Sequence, residues 1–292
     1  MSGVNTLKER TENLKIAKTI KLFIGGEFPR TESGRSAPVY LHKTKKLYAN
    51  VCLASRKDLR NAVTAAQGAQ KGWQSKSAYN RSQILYRMAE MMEAKREEFT
   101  EALTATLGLS PVQANKAVDA SIEALVYYSG FADKYQQVLG AVNPVSGPHH
   151  NFTSTEAVGV VGLIANEKFD LAAFVGQLAA IIVSGNTVVA LMSENGSALL
   201  APLAETLATS DLSKGVVNLL TGSTEELYKQ FGLHMEIQSL SVQLSDSKKL
   251  GELKVLAADN MKRVVNPTKD PVSLEHLMSF VEFKTVWHPI GY

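Results

Sequence analysis

The sequence predicts an α/β fold: a three-layer, Rossmann-like parallel sheet with an N-terminal helical region and a small β element built from discontinuous pieces. Three observations carry that expectation. From residue 158 onward, short apolar runs rich in Val, Ile and Leu alternate with helix-length segments, the grammar of parallel strands joined by helical crossovers. Before that point, apolar residues recur at helical spacing over long stretches. The chain also opens and closes on short runs of strand character.

The front is short β. Leu22-Phe23-Ile24, Gly25-Gly26 and Glu27-Phe28 read as a hairpin whose glycines can take positive φ. Val39-Tyr40 and residues 47–53 add short strands. Ser55 caps a helix running to about Gln70, and Trp73 marks the break after it. Ile84, Leu85, Met88, Met91, Met92, Phe99, Leu103 and Leu107 form the inner face of a long helical stretch that Gly108 ends. Pro111 opens the next helix, which buries Val118, Ile122, Leu125, Val126 and Ser129 and runs to about Tyr135. Residues 140–150 read as a loop, and a strand leaves it at His149-His150. Then come strand 158–164, helix 169–183, strand 187–191, helix 198–209, strand 216–220, helix 223–231 and strand 237–244. No element is assigned from there to a helix at 273–280, followed by a terminal strand, Glu282 to His288.

Composition excludes several classes of function. Lys plus Arg at 31 against Asp plus Glu at 28 gives a net charge of +3, too little for a dedicated nucleic-acid or anionic-membrane binder. Met1 to Ile20 is rich in charge and lacks the apolar core of an export signal, so a cytoplasmic protein is expected. Leu171 to Met192 contains no charged residue, but Ser184-Gly185-Asn186 interrupts it, giving a buried helix, a turn and a buried strand rather than a membrane span. The single cysteine, Cys52, excludes a disulfide framework and any multi-cysteine metal site, and reads as a packing residue. His149 and His150 point to opposite faces of a strand and cannot share a metal ion without another ligand. No metal site is expected.

Along nearly its whole length the chain resembles the NAD(P)-dependent aldehyde dehydrogenase superfamily. The resemblance is carried by Phe23-Ile24-Gly25-Gly26-Glu27, by the helices at 58–73, 81–106 and 117–134, and by Val158-Gly159-Val160-Val161-Gly162. It continues through Ser184-Gly185-Asn186-Thr187-Val188-Val189, Gly215-Val216-Val217-Asn218-Leu219-Leu220-Thr221-Gly222 and Glu282-Phe283-Lys284-Thr285-Val286-Trp287-His288-Pro289. The resemblance implies a cofactor-domain-like unit from residues 1–139 and 158–265, and an oligomerisation element from 140–157 and 266–292. The catalytic domain is expected to be absent. In outline the chain is similar to the second module of the two-module, family-sixteen type.

Departures from the family pattern fall where the chemistry would lie. The family's Pro-Trp-Asn-Phe-Pro, whose Asn helps hold a developing oxyanion, reads Asn166-Glu167-Lys168-Phe169-Asp170, and Lys168 is expected to form a local salt bridge. The ribose-binding Lys-Pro-x-Glu reads Leu191-Met192-Ser193-Glu194. The Phe-Thr-Gly-Ser turn near the cofactor phosphates reads Val242-Gln243-Leu244-Ser245. Glu194 and Gly222 are the residual candidates for cofactor contact; no catalytic residue is expected, and no cofactor, the NAD(P) cleft being degenerate. The resulting expectation is a catalytically inactive assembly or regulatory subunit. It would pair as a homodimer through the strand Glu282 to His288, or with a full-length aldehyde dehydrogenase. The rival expectations are an oxidoreductase active only with a partner subunit and a nucleotide-binding sensor module.

Overall fold

A computed structural model describes residues 17–267, 270 and 272–291. The N-terminal reading at Met1 to Ile20 therefore lies, up to residue 16, outside the described residues. The chain starts with β1 (Thr19–Ile20), β2 (Ser36–Tyr40) and β3 (Leu47–Cys52), a small sheet in the order β1-β3-β2. Between β1 and β2 the expected hairpin shrinks to one bridge, Ile24 to Glu27, with Gly25 and Gly26 at φ 62° and 77°. The turn chemistry holds, but the flanking residues do something else: Leu22 and Phe23 are buried, and Phe23 pairs with Leu219 of the main sheet.

Helices α1 (Arg56–Gln74), α2 (Ala78–Ala94), α3 (Arg96–Ala102), α4 (Pro111–Phe131) and α5 (Tyr135–Leu139) follow. Ser55 and Asp58 form a capping box at α1, and Ser110 with Gln113 repeats it at α4, so both helix starts are satisfied locally. Trp73 does not break α1. It lies within the helix, fully buried, and its Nε1 donates to the Ile182 carbonyl at 2.8 Å, because α1 packs against the main sheet and its helices. A π turn at Leu103–Leu107 ends the α3 stretch, and Gly108 closes it at φ 72°.

The outlying sheet is made of β4 (Ala141–Asn143), β5 (His149–Ala157) and the terminal strand β11 (Val281–Pro289), in the order β11-β5-β4, all antiparallel. Helix α5 and strand β4 occupy ground read as helix end and loop; both are too short to leave a periodic signature.

The main sheet comprises β6 (Val160–Ile164), β7 (Thr187–Met192), β8 (Val217–Thr221), β9 (Ser239–Val242) and β10 (Arg263–Val265). Its order is β10-β9-β6-β7-β8 and every pairing is parallel. The crossovers are α6 (Leu171–Val183), a 3₁₀ segment at Glu194–Leu199 leading into α7 (Leu200–Ala208), α8 (Thr224–Leu233) and α9 (Ser247–Ala258). Helix α10 (Leu274–Met278) precedes β11. The interval after Leu244, where no element was assigned, thus adds α9 and a fifth strand beside β9. A three-residue strand is beneath what sequence pattern can register.

Alternate residues of β7 feed two cores. Val189 and Leu191 join a cluster with Leu220, Val242 and Leu244, while Val188, Ala190 and Met192 join the larger cluster on the opposite face. Burial on both faces is why these strands read as continuous apolar runs. The turn at Ser184-Gly185-Asn186 needs its glycine, which sits at φ 93° with Gln74 Cα 3.3 Å from where a Cβ would be. Asn186 then pins three segments together. Its Oδ1 accepts from Gly159 N (2.9 Å), and its Nδ2 donates to Ile181 O (3.1 Å) and to Phe280 O (2.8 Å), at the entry to β11. Arg263 donates to the Ser279 and Val281 carbonyls at 2.8 and 3.0 Å, so the outlying sheet is tied to the main one at two points. Among the described residues no helix is long and apolar enough to cross a membrane.

Candidate functional site

The strand order reverses between β6 and β9, and in open parallel sheets ligands bind at that switch point, beyond the carboxyl ends of the strands. Here the loops leaving β6 and β9 bind each other. Gln243 N donates to Ile164 O (3.0 Å), and Ser245 Oγ donates to Asn166 Oδ1 (3.4 Å), which also accepts from Lys168 N (3.1 Å). Asn195 Nδ2 donates to Glu167 O (2.8 Å), drawing the loop after β7 onto the loop after β6.

Two of the helix N-termini around the crevice are capped by the chain's own carboxylates, whereas α8 and the 3₁₀ segment start without a side-chain cap. Asp246 Oδ1 accepts from Lys248 N (2.9 Å) and Lys249 N (3.3 Å) at the start of α9. Asp170 Oδ1 accepts from Ala173 N (3.1 Å) at the start of α6. Free N–H groups at such positions are what a phosphate uses, through both hydrogen bonds and the helix dipole.

What remains open is a cavity of about 260 Å³, lined by Glu167, Ser193, Glu194, Asn195, Glu225 and Lys249 among others. Lys249 Nζ pairs with Glu225 Oε2 at 2.6 Å, and that carboxylate holds the ammonium above its ordinary pKa. Three carboxylates against one ammonium make the wall net acidic, unfavourable for an anionic ligand. Ser193 Oγ is buried with no hydrogen-bond partner among the described residues, a feature the sequence does not signal.

The two candidate contact residues lie at the ends of adjacent strands. Glu194 is exposed, opens the 3₁₀ segment and lines the cavity. Gly222 follows β8, buried one residue before the cavity wall; a Cβ there would stand 3.3 Å from Ala54 N, so close backbone packing accounts for this glycine. Leu191 is fully buried in the core and Leu244 nearly so. Lys168 is exposed and, contrary to expectation, forms no ion pair among the described residues; the cation that pairs in this cleft is Lys249, on α9, a helix the sequence did not reveal. Cys52 is buried at the end of β3, and its carbonyl accepts from Thr221 Oγ1 (2.6 Å). Among the described residues no group of three or more His, Cys, Asp or Glu side chains could hold a metal ion.

This arrangement has well-defined relatives. The mouse cytosolic 10-formyltetrahydrofolate dehydrogenase is 29% identical over 270 residues, covering 89% of this chain and 29% of that protein. Chicken retinal dehydrogenase 2 is 31% identical over 270 residues, 90% of this chain and 51% of the relative. Among solved structures, the NAD+ complex of the Bacillus cereus aldehyde dehydrogenase superposes with a TM-score of 0.78 at 27% identity, over 87% of this chain and 52% of the other. A salicylaldehyde dehydrogenase from Pseudomonas putida complexed with salicylaldehyde gives 0.78 at 25%, over 86% and 51%. The chain therefore spans about half, or less, of these relatives. The aldehyde dehydrogenase family profile matches residues 28–266, and with most of its length so matched, on a parallel sheet of the same architecture, the chain belongs to the aldehyde dehydrogenase family.

Proposed function

We propose that this chain is a catalytically inactive member of its family that serves as an assembly or regulatory subunit. The observation that carries the reading is the cleft. One N–H at the start of α6 is taken by Asp170 and two at the start of α9 by Asp246, and the adjoining cavity of about 260 Å³ is net acidic. A dinucleotide does not fit those residues. Aldehyde oxidation further needs a positioned thiolate and an ordered nicotinamide. The only cysteine in these 292 residues is Cys52, buried in β3. A fold shared with dehydrogenases does not supply the missing groups.

The partner surface in this reading is the strand β11. It is paired along one side with β5, and an edge strand offers its other side to a second chain. A homodimer through residues 282–288 is the simplest assembly, and a full-length aldehyde dehydrogenase would use the same edge. The cytoplasm is the compartment that suits this reading, in line with the mouse relative being named cytosolic.

One observation favours the sensor alternative: the buried, unpartnered Ser193 Oγ on the cavity wall offers a hydrogen bond to a ligand. Calorimetric titration with NAD and NADP separates the two readings. The inactive-subunit reading expects dissociation constants of millimolar or weaker, about −4 kcal/mol; micromolar affinity would replace it with the sensor. An absorbance assay for NAD(P)H across several aldehydes should show no turnover. Light scattering at tens of micromolar, alone and with a full-length relative, should show an assembly; a monomer under both conditions removes the subunit reading.

A further inference from the structure

Strand β5 begins His149-His150, and two adjacent histidines on a strand face opposite ways. The register of the outlying sheet supplies what the sequence could not. His150 stands directly opposite His288 of β11, so these two imidazoles share one face of the sheet. Directly opposed residues in an antiparallel pair have Cβ atoms about 4.5–5.5 Å apart, a span two imidazoles can close around a single ion at about 2.0–2.1 Å per nitrogen. Both side chains are exposed, and His150 leans on the ring of Phe152, 5.4 Å away on the same face. His149 lies on the other face, opposite Pro289 and edge-on to Trp287 at 5.9 Å.

We propose that His150 and His288 form a two-imidazole site for a divalent transition-metal ion that fastens the terminal strand β11 to β5. Water completes the coordination, since no third ligand from the described residues joins the pair. With nitrogen ligands alone, copper(II) binds more tightly than nickel(II) or zinc(II). The two histidines meet only in the folded chain, so the ion binds the native state and raises its melting temperature.

The test is calorimetric titration of the full chain, free of any affinity tag, with copper(II), nickel(II) and zinc(II) chlorides in a non-chelating buffer, with thermal melts alongside. The expected result is saturable binding with copper tightest and a metal-dependent rise in melting temperature. H150A and H288A should each weaken binding at least tenfold and remove the rise, while H149A stays within twofold of the parent. Because the two variants sit on different strands, either one decides the matter if the other folds poorly, as judged by its metal-free melt. Parent-like affinity in a folded H150A or H288A, or an equal loss in H149A, overturns the site.

Discussion

Every residue of β6, β7, β8 and β9 is buried, whereas of the nine residues of β11 only Val281 is. The main sheet has covered both its faces with helices, and Asp170 and Asp246 cap two of the helices that start at its switch point. The outlying sheet presents Trp287 at 61% exposure and Val142 at 73%, and Val142, Phe152 and Val286 lie in register across its three strands. Apolar surface costs free energy when left in water, roughly 25 cal/mol per Å². The contrast therefore separates the apolar surface that holds this chain together from the apolar surface it leaves in water.

The largest expected effect tests whether the main sheet can take up a cofactor-binding side chain. Leu191→Lys restores the ribose-binding residue of the family pattern, but position 191 is fully buried beside Leu220 and Val242. A charged group there costs on the order of 4 kcal/mol. A chemical denaturation midpoint should fall sharply, with no gain in NAD affinity. Near-parental stability together with NAD binding would mean that position 191 opens onto the cleft.

A smaller effect lies just before β10, at the edge of the main sheet. Burial lowers the Lys262 pKa to about 8, and its Nζ donates to the His234 carbonyl at 2.6 Å. The unfolded chain, with an ordinary lysine near 10.4, then holds the proton more tightly than the folded one. Stability from this group should rise as pH goes from about 8 to about 10.4, by on the order of 2 kcal/mol. Lys262→Met should flatten that part of the parent's pH profile and raise stability at pH 7. A variant profile parallel to the parent's would show that the ammonium is solvated.

The outlying sheet should respond to mutation in the opposite way. Trp287→Ala removes no core packing, so its effect on monomer stability should stay within about 0.5 kcal/mol, while self-association weakens by about 2 kcal/mol if Trp287 is an interface anchor. Sedimentation or light scattering over a concentration series reads the second quantity. An unchanged association constant would move the partner surface off this face. Removal of residues 282–292 should leave a monomer or an aggregate.

Legibility followed the same division. β6, β7 and β8 were plain in the sequence because burial on both faces demands unbroken apolar runs, and the Gly25-Gly26 and Gly185 turns were plain because their φ values favour glycine. β10 and α9 were not. The first is three residues long, and the second carries Lys248, Lys249, Glu252 and Lys254 along a helix with only Leu253 and Ala257 fully buried. Missing α9 meant missing Lys249, and with it the ion pair that lines the cavity. Ser193 was invisible for another reason: whether a serine hydroxyl is buried without a partner is decided by tertiary packing alone. The pairing of His150 with His288 depends on strand register, which the unpaired sequence of either strand does not contain.

The smallest effect bears on the cap at the edge of the cleft. Asp246 caps α9 from an exposed position, so Asp246→Ala should cost about 1 kcal/mol, the usual worth of an N-cap. The same change frees the Lys248 and Lys249 amides, at a helix end whose dipole favours an anion. If the carboxylate alone excludes a phosphate, the variant should bind pyrophosphate and NAD measurably better than the parent. The expected gain is less than tenfold, under about 1.4 kcal/mol, because Glu167, Glu194 and Glu225 still line the cavity and the stretch carrying Leu244 is packed into the core. A gain of a hundredfold or more would show that one side chain stands between this cleft and a working dinucleotide site, and the contrast between a closed sheet and an open one would then rest on Asp246. No gain at all, with the stability cost as expected, would place the exclusion in the acidic wall and the buried leucines, beyond the reach of any single reversion.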